Sequence, residues 1–193
     1  MTSGLVLTHG AGSNSKAPLL VAVANAFEAA GYRVLRFDLA FRQKRPFGPP
    51  SPATAAQDRE SIRQAVAEMR KLVDGPVVLG GHSYGGRQAT MLAAEEPGLA
   101  ASLLLLSYPL HPPNKPTQLR TAHFPSLRTP ALFVHGTKDP FGTIDEMRAA
   151  LGMIPAKTEF LPLDGLGHDL GRGRFDVAQL PRLLAASQAE HHA

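Results

Sequence analysis

The chain contains no cysteine. That excludes disulfide bonds, a thiolate nucleophile, cysteine-ligated zinc and iron–sulfur clusters, and it fits a reducing compartment. No apolar run approaches the roughly 18 residues of a membrane-spanning helix; the longest, residues 103–106, has the length of a strand. The start, Met-Thr-Ser-Gly-Leu-Val-Leu, has neither the charged opening nor the long apolar stretch of a secretory signal. No membrane association and a cytoplasmic location are the resulting expectations. Charge of one sign is also scarce: 20 Lys and Arg stand against 16 Asp and Glu, a net charge of +4. The one local basic cluster is Arg42, Lys44 and Arg45, and no zinc-finger, RNP or helix-turn-helix pattern accompanies it. Nucleic acid is therefore not an expected partner.

What is present is ordinary for a folded domain. The 193 residues are 44% hydrophobic and 19% charged, enough for one buried core and one domain over residues 1–193. Short apolar runs alternate with longer helical patterns. Strands are expected at residues 4–8, 33–37, 77–79, 103–106, 131–134 and 158–161. Helices are expected at 18–30, 54–72, 84–96, 144–151 and 175–186, with the register of the last disturbed by Pro181. Proline-rich loops fill 38–52 and 109–130. Strands apolar on both faces and separated by helices imply an α/β fold: a three-layer sandwich around a mostly parallel sheet of about six strands, with no separate cap domain. In such sheets chemistry sits outside the carboxyl ends of the strands.

After the third strand comes Gly80-Gly81-His82-Ser83-Tyr84-Gly85-Gly86, which contains Gly-x-Ser-x-Gly. A sharp strand-to-helix turn would hold Ser83 above the sheet, and side chains at Gly81 and Gly85 would collide across it. The bare pattern is short, and its position between a strand and a helix gives it weight. The alternative is a glycine-rich turn whose serine only caps the helix. A serine nucleophile needs a base and an orienting acid, which follow it in the order acid, then His. Asp139 lies after the fifth strand in His135-Gly136-Thr137-Lys138-Asp139-Pro140, and His168 after the sixth in Gly165-Leu166-Gly167-His168-Asp169. The assignment is Ser83 as nucleophile, His168 as general base and acid, and Asp139 as orienter, a chemistry that needs no cofactor or metal. Asp38, Asp145, Asp164 and Asp169 are weaker candidates for the acid, read as turn, cap or first-turn residues. His82 and His135 are read as packing or hydrogen-bonding groups, His111 and His123 as structural or solvated, and His191 and His192 as tail. The first strand ends in His9-Gly10-Ala11-Gly12. Its backbone supplies one oxyanion donor, at Ala11 with Gly10 or Gly12 as alternatives, and the N–H of Tyr84 supplies the other.

These segments, His9 to Gly12, Gly81 to Arg87, His135 to Gly142 and Gly165 to Asp169, resemble the α/β-hydrolase superfamily. Among its compact members the chain is similar to dienelactone-hydrolase-like esterases, and to the hydrolase-like domain of testis-expressed and histone-acetyltransferase-complex proteins. The resemblance implies the fold and the Ser-Asp-His set, and with them a small acyl ester as partner. That superfamily also includes members regarded as scaffolds, so a non-catalytic interaction module is the alternative. The oxyanion strand here begins within the first ten residues, where the family usually has two more strands. Residues 107–127 offer at most a short lid. Phe41, Tyr108 and Phe141 are the expected pocket-lining aromatics. The Arg42–Arg45 cluster is expected to be a solvated basic loop, with attraction of an anionic substrate as the alternative. Composition and motifs do not set an oligomeric state.

Overall fold

The computed structural model describes residues 1–188; His191 and His192 lie outside the described residues. Six strands form one sheet: β1 (Gly4–Thr8), β2 (Arg33–Arg36), β3 (Val77–His82), β4 (Ser102–Leu106), β5 (Ala131–Gly136) and β6 (Thr158–Leu163). Their order is β2-β1-β3-β4-β5-β6 and every pairing is parallel. Helices α1 (Pro18–Ala29), α2 (Ala40–Lys44), α3 (Ala55–Leu72), α4 (Tyr84–Glu95), α5 (Ile144–Leu151) and α6 (Leu180–Gln188) connect and cover it.

Alternate strand residues serve two cores, because successive side chains leave opposite faces of a strand. Val6, Leu79, Leu103, Leu105 and Phe133 meet α3, α4 and α5 through Ile62, Val66, Leu92 and Met147. Leu5, Leu7, Val78, Leu104, Leu106 and Val134 meet α1 and α6 through Leu20, Phe27, Leu180 and Leu184. Strand order reverses between β1 and β3, so a crevice opens at their carboxyl ends. The turns after both strands, His9–Gly12 and Ser83, stand at that crevice.

The structure differs from the sequence expectation in four places. Strands β3, β5 and β6 run two or three residues further than their apolar cores, carried by parallel pairing that Gly80, Gly81 and His82 in β3, His135 and Gly136 in β5, and Pro162 in β6 do not interrupt. The proline-rich segment 38–52 contains α2, whose second amide is held by Asp58: its Oδ1 accepts the Phe41 N–H at 2.9 Å. The final helix begins at Leu180 rather than at 175, since Pro181 lacks an N–H and is tolerated only in the first turn. Residues 107–127 form no lid: Tyr108, Leu110, Phe124 and Leu127 are in the core. Among the described residues no helix is long and apolar enough to cross a membrane.

Candidate active site

Ser83 occupies φ 50°, ψ −116° between β3 and α4, a backbone region that costs a non-glycine residue about 1–3 kcal/mol. Neighbours hold it there. Its N–H donates to the Leu106 carbonyl at 2.9 Å, and its carbonyl accepts the Arg87 N–H at 2.9 Å. A Cβ on Gly81 would lie 2.5 Å from the Gly85 carbonyl carbon, and one on Gly85 would lie 2.5 Å from the His9 oxygen. Only glycine at both positions lets the turn close and α4 approach β1.

The imidazole of His168 bridges Ser83 and Asp139. Its Nε2 is 2.8 Å from Ser83 Oγ and its Nδ1 is 2.8 Å from Asp139 Oδ2. Burial pushes the Asp139 carboxyl up, but the His168 hydrogen bond and charge, the Phe141 N–H and His135 together hold it below the usual range. An ionised carboxylate only accepts, so Nδ1 carries the proton and Nε2 is free to accept from the Ser83 hydroxyl. Two groups fix the ring. Phe141 packs on it with centroids 4.2 Å apart and planes at 31°. His82 holds the loop from below: its Nε2 donates to the His168 carbonyl at 2.9 Å. Burial pulls the His82 imidazole down to about 4, so it stays neutral.

The loop after β1 is held by its carbonyls. The His9 Nε2 accepts the Leu39 N–H at 3.0 Å, which leaves the proton on Nδ1 to donate to the Gly10 carbonyl at 2.8 Å. Burial also lowers the His9 basicity, keeping this tautomer neutral. Arg42 donates from Nη2 to the Ala11 carbonyl and from Nε to the Ser13 carbonyl, both at 2.8 Å. In a trans peptide the C=O and the following N–H point in opposite directions. Fixing the Gly10 oxygen therefore aims the Ala11 N–H, and fixing the Ala11 oxygen aims the Gly12 N–H. The N–H of Tyr84, at the first turn of α4, has no acceptor within its helix.

A cleft of about 320 Å³ lies over these groups, lined by residues 10–13, His82, Ser83, Phe141 and His168. Of the expected pocket aromatics only Phe141 lines it. Tyr108 is fully buried; it packs on Phe124 and Phe133, and its hydroxyl donates to the Arg120 carbonyl at 2.6 Å. The cause is Ser107, whose φ of 50° turns the chain back into the core after β4. Phe41 is buried as well, edge-on to Tyr84 at 5.8 Å. The basic cluster divides: Lys44 and Arg45 are exposed, while Arg42 is 7% exposed and grips four carbonyls, those of Ala11, Ser13, Arg45 and Gly48. The solvated-loop expectation fails for Arg42, whose contacts span up to 31 residues and leave no local pattern. Asp164 and Asp169 stay in their turns, accepting from Thr137 and the Gly171 N–H. His111 and His123 reach Glu146 and Thr90. Among the described residues no cluster of three His, Asp or Glu side chains is arranged to hold a metal ion.

The alpha/beta hydrolase domain family model matches residues 2–190. Among solved structures, an alpha-beta serine hydrolase homologue from Coxiella burnetii is 18% identical, with 97% of this chain and 85% of that chain covered at a TM-score of 0.73. A monoacylglycerol lipase from Paleococcus ferrophilus is 14% identical, with coverage of 95% and 94% and a TM-score of 0.74. A dienelactone hydrolase from Anabaena variabilis is 20% identical, with coverage of 97% and 84% and a TM-score of 0.68. At these identities the likeness is one of fold. With the family model spanning nearly the whole chain, this protein belongs to the α/β-hydrolase family.

Proposed function

We propose that the protein is a serine hydrolase that cleaves small carboxylic esters or thioesters through Ser83, His168 and Asp139. The observation that carries this reading is the single imidazole within 2.8 Å of both the Ser83 hydroxyl and the Asp139 carboxylate. Ser83 Oγ attacks the acyl carbon and its proton passes to His168 Nε2. The N–H groups of Tyr84 and Ala11 receive the negative charge that develops on the carbonyl oxygen. The intermediate expels the alcohol or thiol, which takes the proton from His168. Water, deprotonated by the same nitrogen, then releases the acid from Ser83. The cleft suits a small acyl group. A second, mostly apolar pocket of about 240 Å³, with Ala17, Pro18 and Leu20 in its wall, shares Ser13 and His82 with the cleft and offers room for an alkyl chain. One domain acting in the cytoplasm on a small molecule completes the reading; the cysteine-free composition supports that location.

Labelling with a fluorophosphonate probe tests it. Mass spectrometry should place the adduct on Ser83, with none in Ser83→Ala and far less in His168→Ala. A folded protein that is unlabelled, or labelled at another serine, would overturn the reading.

Arg42 acts through the loop it holds. Arg42→Met should lower kcat toward a p-nitrophenyl ester by about 10- to 100-fold with little change in KM. That is less than the roughly 10²–10³ lost when a donor is removed outright, because His9 still aims the Ala11 N–H through the Gly10 carbonyl and only the turn from the Ala11 carbonyl onward loses its hold. Arg42→Lys should recover only part, since a point charge cannot bridge two carbonyls as the fork does. Unchanged kcat in both variants would remove Arg42 from the positioning of the loop.

A further inference from the structure

On α4, residues 84, 87, 88 and 91 fall on one face by helical spacing. That face does not close against the sheet. Together with Ser51 and the first turns of α3 it walls a pocket of about 280 Å³, separate from the cleft over Ser83. Two arginines line it, Arg59 from α3 and Arg87 from α4, and no Asp or Glu does.

Their surroundings differ. Arg59 is engaged: Nη1 donates to Gln88 Oε1 at 3.0 Å, and Nε lies 3.7 Å from Glu95. Arg87 has no ion pair or side-chain hydrogen bond among the described residues, and its Nε is sealed from solvent without an acceptor. Its charge instead falls on groups that cannot balance it. Behind burial, it is the next cause that lowers Arg120 and pulls His123 down to about 4. A partly buried guanidinium is costly unless an anion meets it, and a planar fork beside a second arginine matches the oxygens of a carboxylate or phosphate.

We infer that the pocket between α3 and α4 binds the carboxylate or phosphate group of a small molecule, held by Arg87 with Arg59 beside it. The assignment does not depend on Ser83 being a nucleophile. The full chain is titrated with inorganic phosphate at constant ionic strength, so that general screening cancels, and followed by thermal unfolding and calorimetry. Saturable stabilisation is expected in the wild type. It should weaken by about 10- to 100-fold in Arg87→Met, the range for hydrogen bonds to a charged group, and in part in Arg59→Gln. Without phosphate, Arg87→Met should melt no lower than the wild type, because it removes a charge the fold leaves unpaired. Two results overturn the inference. One is an equal phosphate effect in Arg87→Met, or none in any form. The other is a large loss of stability in Arg87→Met without phosphate, which would mean that the guanidinium already has its partner inside the fold.

The source of the anion is settled by a pair of esters, p-nitrophenyl acetate and mono-p-nitrophenyl succinate. A rise in KM in Arg87→Met for the succinyl ester alone supports an anion carried by the substrate. Phosphate binding lost in that variant, with both KM values unchanged, supports a free ligand. If neither ester is turned over, the phosphate titration still decides the site.

Discussion

Ser83→Ala should leave a folded protein whose ester hydrolysis falls by about 10⁶-fold, and His168→Ala should fall about as far, because a serine and its base act as one unit. The expected coupling follows from the proposed roles. Ser83 Oγ and His168 Nε2 are 2.8 Å apart, and neither side chain does the other's work: the hydroxyl is inert until the imidazole accepts its proton. The double variant should therefore be no slower than either single one. Stability is expected to separate the two. Ser83→Ala removes a hydroxyl from a strained turn whose backbone bonds to Leu106 and Arg87 remain. His168→Ala also removes the ring on which Phe141 packs and leaves Asp139 buried with one partner fewer. Steady-state kinetics with p-nitrophenyl esters, read beside thermal unfolding, checks both expectations. Multiplicative losses in the double variant would mean that serine and imidazole serve different steps.

Asp139→Asn should cost about 10⁴-fold in kcat, the effect expected of a wrong histidine tautomer rather than of lost structure. The two oxygens of Asp139 have separate tasks. Oδ1 accepts the Phe141 N–H at 2.9 Å, and Oδ2 accepts from His168 Nδ1 at 2.8 Å. In the asparagine the carbonyl must stay at the Phe141 amide, which needs an acceptor. The new NH₂ then faces Nδ1 and donates to it. The ring proton moves to Nε2, where it opposes the Ser83 hydroxyl. Unfolding should change little, and kcat should fall with KM nearly constant. Turnover equal to that of the wild type would show that another carboxylate orients the ring; Asp169, which caps the turn beyond His168, would be the next to replace.

Much of the fold, and the convergence of these side chains, is legible in the sequence because the signals are local. A glycine pair around Ser83, an acid after the fifth strand and a histidine after the sixth each follow an apolar strand, and a parallel sheet collects the ends of its strands on one edge. The unread parts depend on contacts distant in sequence or on backbone direction. Arg42 looked like surface charge because its acceptors at Ala11 and Ser13 lie about thirty positions earlier. Tyr108 looked like a pocket residue because nothing in its neighbourhood announces the turn at Ser107. Helix α2 is hidden among prolines because Asp58, from the next helix, holds the Phe41 amide in its first turn.

Arg42 carries one more consequence. Its guanidinium meets carbonyl oxygens and, at 4.9 Å, the face of the Phe41 ring, with no carboxylate paired to it among the described residues, so dipoles and a ring face satisfy it without cancelling its charge. Folding has therefore stored a permanent cation beneath the His9–Gly12 turn, shielded from water. An incoming acyl group whose oxygen turns negative there would meet a field already oriented toward it, with no solvent or side chain left to rearrange as the charge appears.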